Sequence, residues 1–195
     1  MMKAHLTIYL CMSIAVLLAA LSGCASTSGP YMPAEAAARS PLLAERLTQE
    51  AVAAIDRGDE ARGEELLREA LTADLYHGPA HNNLGVLYLS QGKLYEAASE
   101  FEWAKKLLPG HPDPRLNLAM TLDRAGQIDE ALTEYRSALE VWPGHMPSIQ
   151  AYAKCQIKHA VPQEDLPELL DRIALAGETE EWQLWGRLQA AKRGK

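Results

Sequence analysis

One stretch of this chain can be laid on another 34 residues further along without a gap. The segment HNNLGVLYLSQGKLYEAASEFEWAKKLLPGH, from His81, aligns with RLNLAMTLDRAGQIDEALTEYRSALEVWPGH, from Arg115. Leu84 recurs as Leu118, Gly85 as Ala119, Gly92 as Gly126, Ala97 as Ala131, Phe101 as Tyr135 and Ala104 as Ala138. Pro109-Gly110-His111 recurs as Pro143-Gly144-His145. Such a period constrains the fold to stacked copies of one small unit, because a single copy cannot bury its own apolar face.

Each unit reads as two helices. Gly92 and Gly126 stand where one helix ends and the next begins, and glycine tolerates the left-handed conformation that terminates a helix. Gly85 or Ala119, with Ala97 or Ala131, are small residues at helical spacing that allow close approach of the two helices. Tyr88, Phe101 and Tyr135 fill the space beside them, and Pro109 and Pro143 stop the second helix.

These residues resemble the tetratricopeptide repeat. Leu84-Gly85-x-x-Tyr88, Ala97, Phe101, Ala104 and Pro109 stand where that family's pattern wants them, while His81 replaces its usual tryptophan. A weaker copy occupies 44–77: Ala51, Gly58, Leu67 and Ala70 fit, but Gly63 replaces an alanine and Leu75 a proline. The resemblance implies an all-α fold, a right-handed α-solenoid of stacked helix-turn-helix repeats. The repeats are expected at 44–77, 78–111 and 112–145, with one further helix completing an array over 42–159.

Beyond the array the pattern changes. Asp165-Leu166-Pro167-Glu168 reads as a capping box that starts an amphipathic helix closed by Gly177. A last helix carries Trp182, Trp185 and Leu188 near one face. Residues 160–195 are therefore expected to cap the array, since a repeat stack otherwise ends on a bare apolar face. The alternative for Trp182 and Trp185 is a partner-binding or self-associating patch.

The first residues read as an export signal. Lys3 precedes an uncharged, mostly apolar run from Leu6 to Leu21, short for a spanning helix. Leu21-Ser22-Gly23-Cys24 resembles the lipobox of bacterial lipoproteins, against the alternative of an ordinary secretory signal with a chance cysteine. The resemblance implies a signal peptide over 1–23 and a covalent lipid on Cys24, whose several acyl chains would make anchoring stable. Ala25, in place of an aspartate, implies the outer membrane, facing the periplasm. Residues 24–41 follow as the lipidated cysteine and a flexible tether, with a root-mean-square span of roughly 20–25 Å. After removal of 1–23, Cys24 and Cys155 remain, and lipidation of the former leaves no pair for an intrachain disulfide.

Function then rests on a surface. A formal charge of −7 argues against nucleic acid. No HExxH or GxSxG occurs, and Leu87 stands where a phosphate loop ending at Gly92-Lys93 would need its glycine. His77, His111 and His145 recur every 34 residues at equivalent turns, about 8–10 Å or more apart, too far to share a metal with bonds of about 2 Å. No enzyme activity, metal or other cofactor is expected. In the resembled family the first helix of each repeat lines a groove, which here gives three stripes at i, i+4, i+7 spacing. They are Thr48, Val52 and Ile55; Asn82, Val86 and Leu89; Leu116, Met120 and Asp123, with Arg124 as the basic residue nearby. Such a groove suits a peptide or amphipathic helix of a protein partner. The alternative is that Val86, Leu89 and Leu116 pack between repeats. The expectation is a lipid-anchored adaptor at the cell envelope. A pilotin-like role in secretin or pilus assembly, a self-associating element and, last, a small-ligand or enzymatic domain remain as alternatives.

Overall fold

Proline and glycine punctuate the chain at the helix boundaries. In the computed structural model, residues 39–193 are described. They form the α-helices α1 (Pro41–Asp56), α2 (Glu60–Ala73), α3 (Gly78–Ser90), α4 (Leu94–Leu107) and α5 (Asp113–Ala125). Then follow α6 (Ile128–Val141), α7 (Met146–Lys158), α8 (Leu166–Ala176) and α9 (Glu180–Arg193). There is no strand among the described residues. Pro41, Pro79, Pro114, Pro147 and Pro167 each stand in a first turn, where the missing N–H has no intrahelical partner to lose. Gly58, Gly92 and Gly126 sit in the left-handed region at φ of 85°, 75° and 81°, one per hairpin. The left-handed glycine turns read from the repeat are thus present in all three hairpins.

Helices pack as the hairpins α1–α2, α3–α4 and α5–α6, and the first helices also touch along the array, α1 with α3, α3 with α5 and α5 with α7. A seam of fully buried small residues explains the close approach: Ala51, Ala70, Ala97, Ala104, Ala119, Ala131 and Ala138. At Gly85 a Cβ atom would lie 2.6 Å from Cε1 of Phe101, so the aromatic ring occupies the space a side chain would take. Gly63, in the weakest copy, is explained by its neighbour, because Ile55 fills the volume where an alanine methyl would stand. All-α stacking of repeated hairpins is therefore the observed fold.

The apolar core runs on past the last hairpin. Tyr135 and Leu132 join Ile149, Tyr152 and Ala153 of α7 and Leu166, Leu169, Leu170 and Ile173 of α8. Trp182 and Trp185 lie half-buried against this cluster, edge to face at 5.3 Å. Gly186 admits α9 to α8; a Cβ there would sit 2.8 Å from the Ala174 nitrogen.

Two local readings need correction. Asp165 makes no side-chain cap, because its backbone is already helical at φ −80°, ψ −10°. Its carboxylate instead accepts from Nε2 of the buried Gln156 at 3.2 Å, whose Oε1 accepts from the Gln163 N–H at 2.8 Å. Arg39 and Ser40, expected to end the tether, are tied to the array. Arg39 donates to the buried Asp74 carboxylate at 2.8 and 3.1 Å, and the Ser40 N–H to the Ala73 carbonyl at 2.9 Å. The signal segment and Cys24 lie outside the described residues. No helix among those described is long and apolar enough to cross a membrane.

Candidate functional site

The repeat offset places Val52, Val86, Met120 and Lys154 at equivalent positions on α1, α3, α5 and α7. All four are exposed, the three apolar ones to 38, 45 and 40%. One row further along stand Asp56, Ser90, Arg124 and Lys158, also exposed. The expected stripes are therefore cut down. Thr48, Leu89 and Leu116 are only 4, 9 and 8% exposed, because the neighbouring first helix covers that edge of the face. The Thr48 hydroxyl donates to the Ala44 carbonyl at 2.8 Å, and Leu116 belongs to the core. Ile55 is half-buried against Gly63 within its own hairpin. Val86, for which packing was the alternative, stays in solvent.

Hydrogen bonds between first helices hold this face. Asn117 Nδ2 donates to Asn82 Oδ1 at 3.1 Å, and Arg124 Nη1 to the Leu89 carbonyl at 2.8 Å. Arg124 is not alone, as the sequence suggested, since α7 adds Lys154 and Lys158. The face thus grades from Asp56 at one end to Arg124, Lys154 and Lys158 at the other.

Asp123 is drawn out of the expected groove and into the α5–α7 seam. Its Oδ1 accepts from Lys158 Nζ at 2.9 Å and from His159 Nε2 at 2.6 Å. Burial alone would raise this carboxyl, but the Lys158 and His159 hydrogen bonds outweigh it and hold it below the usual range. Cys155 is buried beside them, and ligand atoms of Asp123, Cys155 and His159 all lie within 4.8 Å of one another. Burial, then the Asp123 carboxylate, pushes the Cys155 thiol up to about 11. Sequence reasoning passed over this trio while weighing the 34-spaced histidines. The available signal was Cys155-x-x-x-His159, two ligands on one helix face.

His81 is buried, with Nδ1 2.6 Å from Glu100 Oε2 and Nε2 2.9 Å from the Leu75 carbonyl. Trp103 of α4 stacks on it at 5.6 Å, 13° from parallel. The aromatic surface that the repeat pattern expects at position 81 is thus built from two residues.

A second concavity, of about 800 Å³, opens between α4 and α6 over Leu118 and Leu122, rimmed by Tyr95, Trp103, Glu102 and Glu134. The equivalent gap between α2 and α4 holds Tyr88, whose hydroxyl meets Arg68 Nη2 at 2.9 Å and Glu64 Oε1 at 3.4 Å. Their counterparts in the open gap are Leu122, Glu102 and Ala98, which are too small or too short to fill it. Lys105 bridges Glu102 and Glu134 at 3.0 and 2.9 Å.

This geometry agrees with comparison to known proteins. The sequence profile of the tetratricopeptide repeat matches residues 48–112. Tetratricopeptide repeat protein 8 of Mus musculus is 27% identical over 93 residues, covering 48% of this chain and 18% of that protein. The match thus spans less than a fifth of that relative's length. The solved first repeat domain of Spaghetti (RPAP3), bound to the HSP90 peptide SRMEEVD, is 17% identical with a TM-score of 0.60. That likeness covers 64% of this chain and 99% of the other. A tetratricopeptide repeat protein from Parabacteroides merdae is 23% identical with a TM-score of 0.62, covering 75% of this chain and 58% of its own. Glycine turns, small-residue seams and stacked hairpins agree with the matched profile: residues 48–112 carry the tetratricopeptide repeat, and the fold around them is that of stacked tetratricopeptide hairpins.

Proposed function

We propose that this chain is a non-catalytic, lipid-anchored adaptor that holds a protein partner on the exposed face of its first helices, at the cell envelope. The observation that carries the binding reading is the row Val52, Val86, Met120. At this position each first helix of the three hairpins leaves an apolar side chain in solvent, while the residue just before it, Ala51, Gly85 or Ala119, is buried. Exposed apolar groups in register along a scaffold mark a contact surface. The HSP90 peptide bound to the Spaghetti (RPAP3) domain supports the same use of the fold. The graded charge adds polarity: acidic residues of a partner are best accommodated toward Arg124, Lys154 and Lys158. The anchor rests on Leu21-Ser22-Gly23-Cys24 and its likeness to a lipobox.

A photoreactive group placed at Val86 or Met120, irradiated in native membranes, tests the binding face. A specific protein adduct is expected there and none from Tyr95 at the concavity between α4 and α6. Absence of adducts from a correctly folded protein would overturn the assignment. For the anchor, Cys24→Ser should move the protein out of the membrane fraction; unchanged membrane association would refute lipidation as the tether.

A second reading is favoured by α8 and α9. Leu175, Leu184 and Leu188 are 83, 55 and 52% exposed, which suits self-association through the cap. A monodisperse monomer at high concentration would exclude it.

A further inference from the structure

The seam between α5 and α7 differs in chemistry from the two seams before it. Asp123, Cys155 and His159 occupy positions that the repeat offset matches to Leu89, Thr121 and Ala125 at the α3–α5 seam. At the α1–α3 seam the matching residues are Ile55, Leu87 and Gln91. None of those six is a usual ligand of a transition metal, whereas all three at the last seam are. We propose that Asp123, Cys155 and His159 form a binding site for a divalent transition metal of the zinc class, which clips α7 onto the last complete hairpin.

The placement is suited to coordination. Cys155 lies on α7 and His159 is the capping residue at its C-terminal end, four positions on, whose N–H still donates to the Cys155 carbonyl at 3.1 Å, so the two side chains leave the helix end on the same side. Asp123 faces them from the last turn of α5. Tetrahedral zinc, with bonds of about 2.0–2.3 Å, places neighbouring ligand atoms about 3.3–3.7 Å apart. The three ligand atoms lie within 4.8 Å of one another. The closest measured pair, Asp123 Oδ1 and His159 Nε2, would open from 2.6 Å, so the movements are small side-chain adjustments. Thiolate and imidazole select this class of metal over calcium or magnesium, which take oxygen ligands. The fourth position is left for water on the side where His159 and Lys158 reach solvent, their side chains being 25% and 52% exposed.

The charges also balance. On binding, the Cys155 S–H bond breaks, a sulfur–metal bond forms and the proton passes to solvent. The proton that His159 Nε2 now directs at Asp123 passes by way of solvent to Nδ1 of the same ring, leaving a neutral imidazole with a free Nε2 lone pair. Lys158 swings into water, and thiolate plus carboxylate neutralise the dication. An ion pair alone accounts for Asp123, Lys158 and His159, and Cys155 packs into the core beside them; the metal site accounts for why the thiol stands within ligand distance of both.

Cobalt(II) is a suitable probe, added to the full-length chain in detergent after chelator treatment. We expect one equivalent to produce visible ligand-field bands and a near-ultraviolet thiolate-to-cobalt band. Cys155→Ser should abolish the latter. Asp123→Asn and His159→Gln should weaken binding at least tenfold, and zinc should raise the unfolding midpoint of the parent protein but not of the variants. Binding without a thiolate band, a band that survives Cys155→Ser, or equal affinity in His159→Gln would each overturn the site. Asp123 and His159 are partly solvent-exposed, so their variants decide the question if Cys155→Ser loses helicity by circular dichroism.

Discussion

Arg124 reaches back one repeat to donate Nη1 to the carbonyl of Leu89, 2.8 Å away, in the last turn of α3. Carbonyls at a helix C-terminus lack intrahelical donors, and a cation there also meets the negative end of the helix dipole. Arg124→Ala should therefore lower stability by about 1 kcal/mol, with part retained in Arg124→Lys. Urea unfolding checks this. It also warns that loss of binding in an Arg124 variant has two causes, so Lys154 is the cleaner charge probe of the face.

The division of the first-helix face into packed and open positions predicts unequal responses to truncation. Leu116→Ala should cost about 2–4 kcal/mol, because it removes part of the core shared with α7. Val86→Ala and Met120→Ala should change stability by no more than about 0.5 kcal/mol. Comparable losses at Leu116 and Met120 would show that the open row is not open.

Gly85→Ala places a methyl where the Phe101 ring stands. Overpacking of this kind costs about 1–3 kcal/mol. Combining it with Phe101→Leu should recover part of the loss, giving a coupling of about 1 kcal/mol between the two sites in a double-mutant cycle. Strict additivity would mean that the ring moves aside at no cost.

His77 makes the fold sensitive to mild acid. Its imidazole is largely buried, and Nε2 has no hydrogen-bond partner among the described residues although Glu45 Oε2 approaches to 3.4 Å. Burial lowers its pKa from 6.5, and His81 adds to that, against the opposing pull of the Glu45 and Asp74 carboxylates. The folded state therefore prefers neutral imidazole, and below pH 6.5 the unfolded chain binds more protons at this position. Its contribution to stability is complete above about pH 6.5 and lost as pH falls through the folded value. Unfolding free energy measured between pH 7 and 5 should fall less steeply in His77→Gln than in the parent protein. Parallel slopes would remove His77 as the cause.

The fold was legible in the sequence because its determinants are local and repeat. Gly92 and Gly126 mark turns, Gly85 and Ala97 mark a close seam, and each signal is confirmed by its copy 34 residues away. The face was half legible. An i, i+4, i+7 stripe locates a side of a helix, but whether Leu89 or Val86 reaches solvent depends on where the next first helix lies across that side. The Asp123 cluster was the least legible, since it joins residues 32 and 36 positions apart along the chain, and neither partner departs from an ordinary helical pattern. The same holds for Trp103, which reads as a surface aromatic until His81 is found beneath it.

The row Val52, Val86, Met120 and Lys154 also sets a ruler. Neighbouring helices pack about 8–10 Å apart, so the row samples space at that interval. A polyproline II segment advances about 9 Å in three residues and brings every third side chain back to the same side. The two periods agree, whereas a β-strand returns a side chain to one side after about 7 Å and drifts out of phase within two steps. A ligand in register with this array would therefore be read in triplets, apolar at three successive steps and acidic at the fourth, and each hairpin added to the stack would lengthen the readable word by three residues.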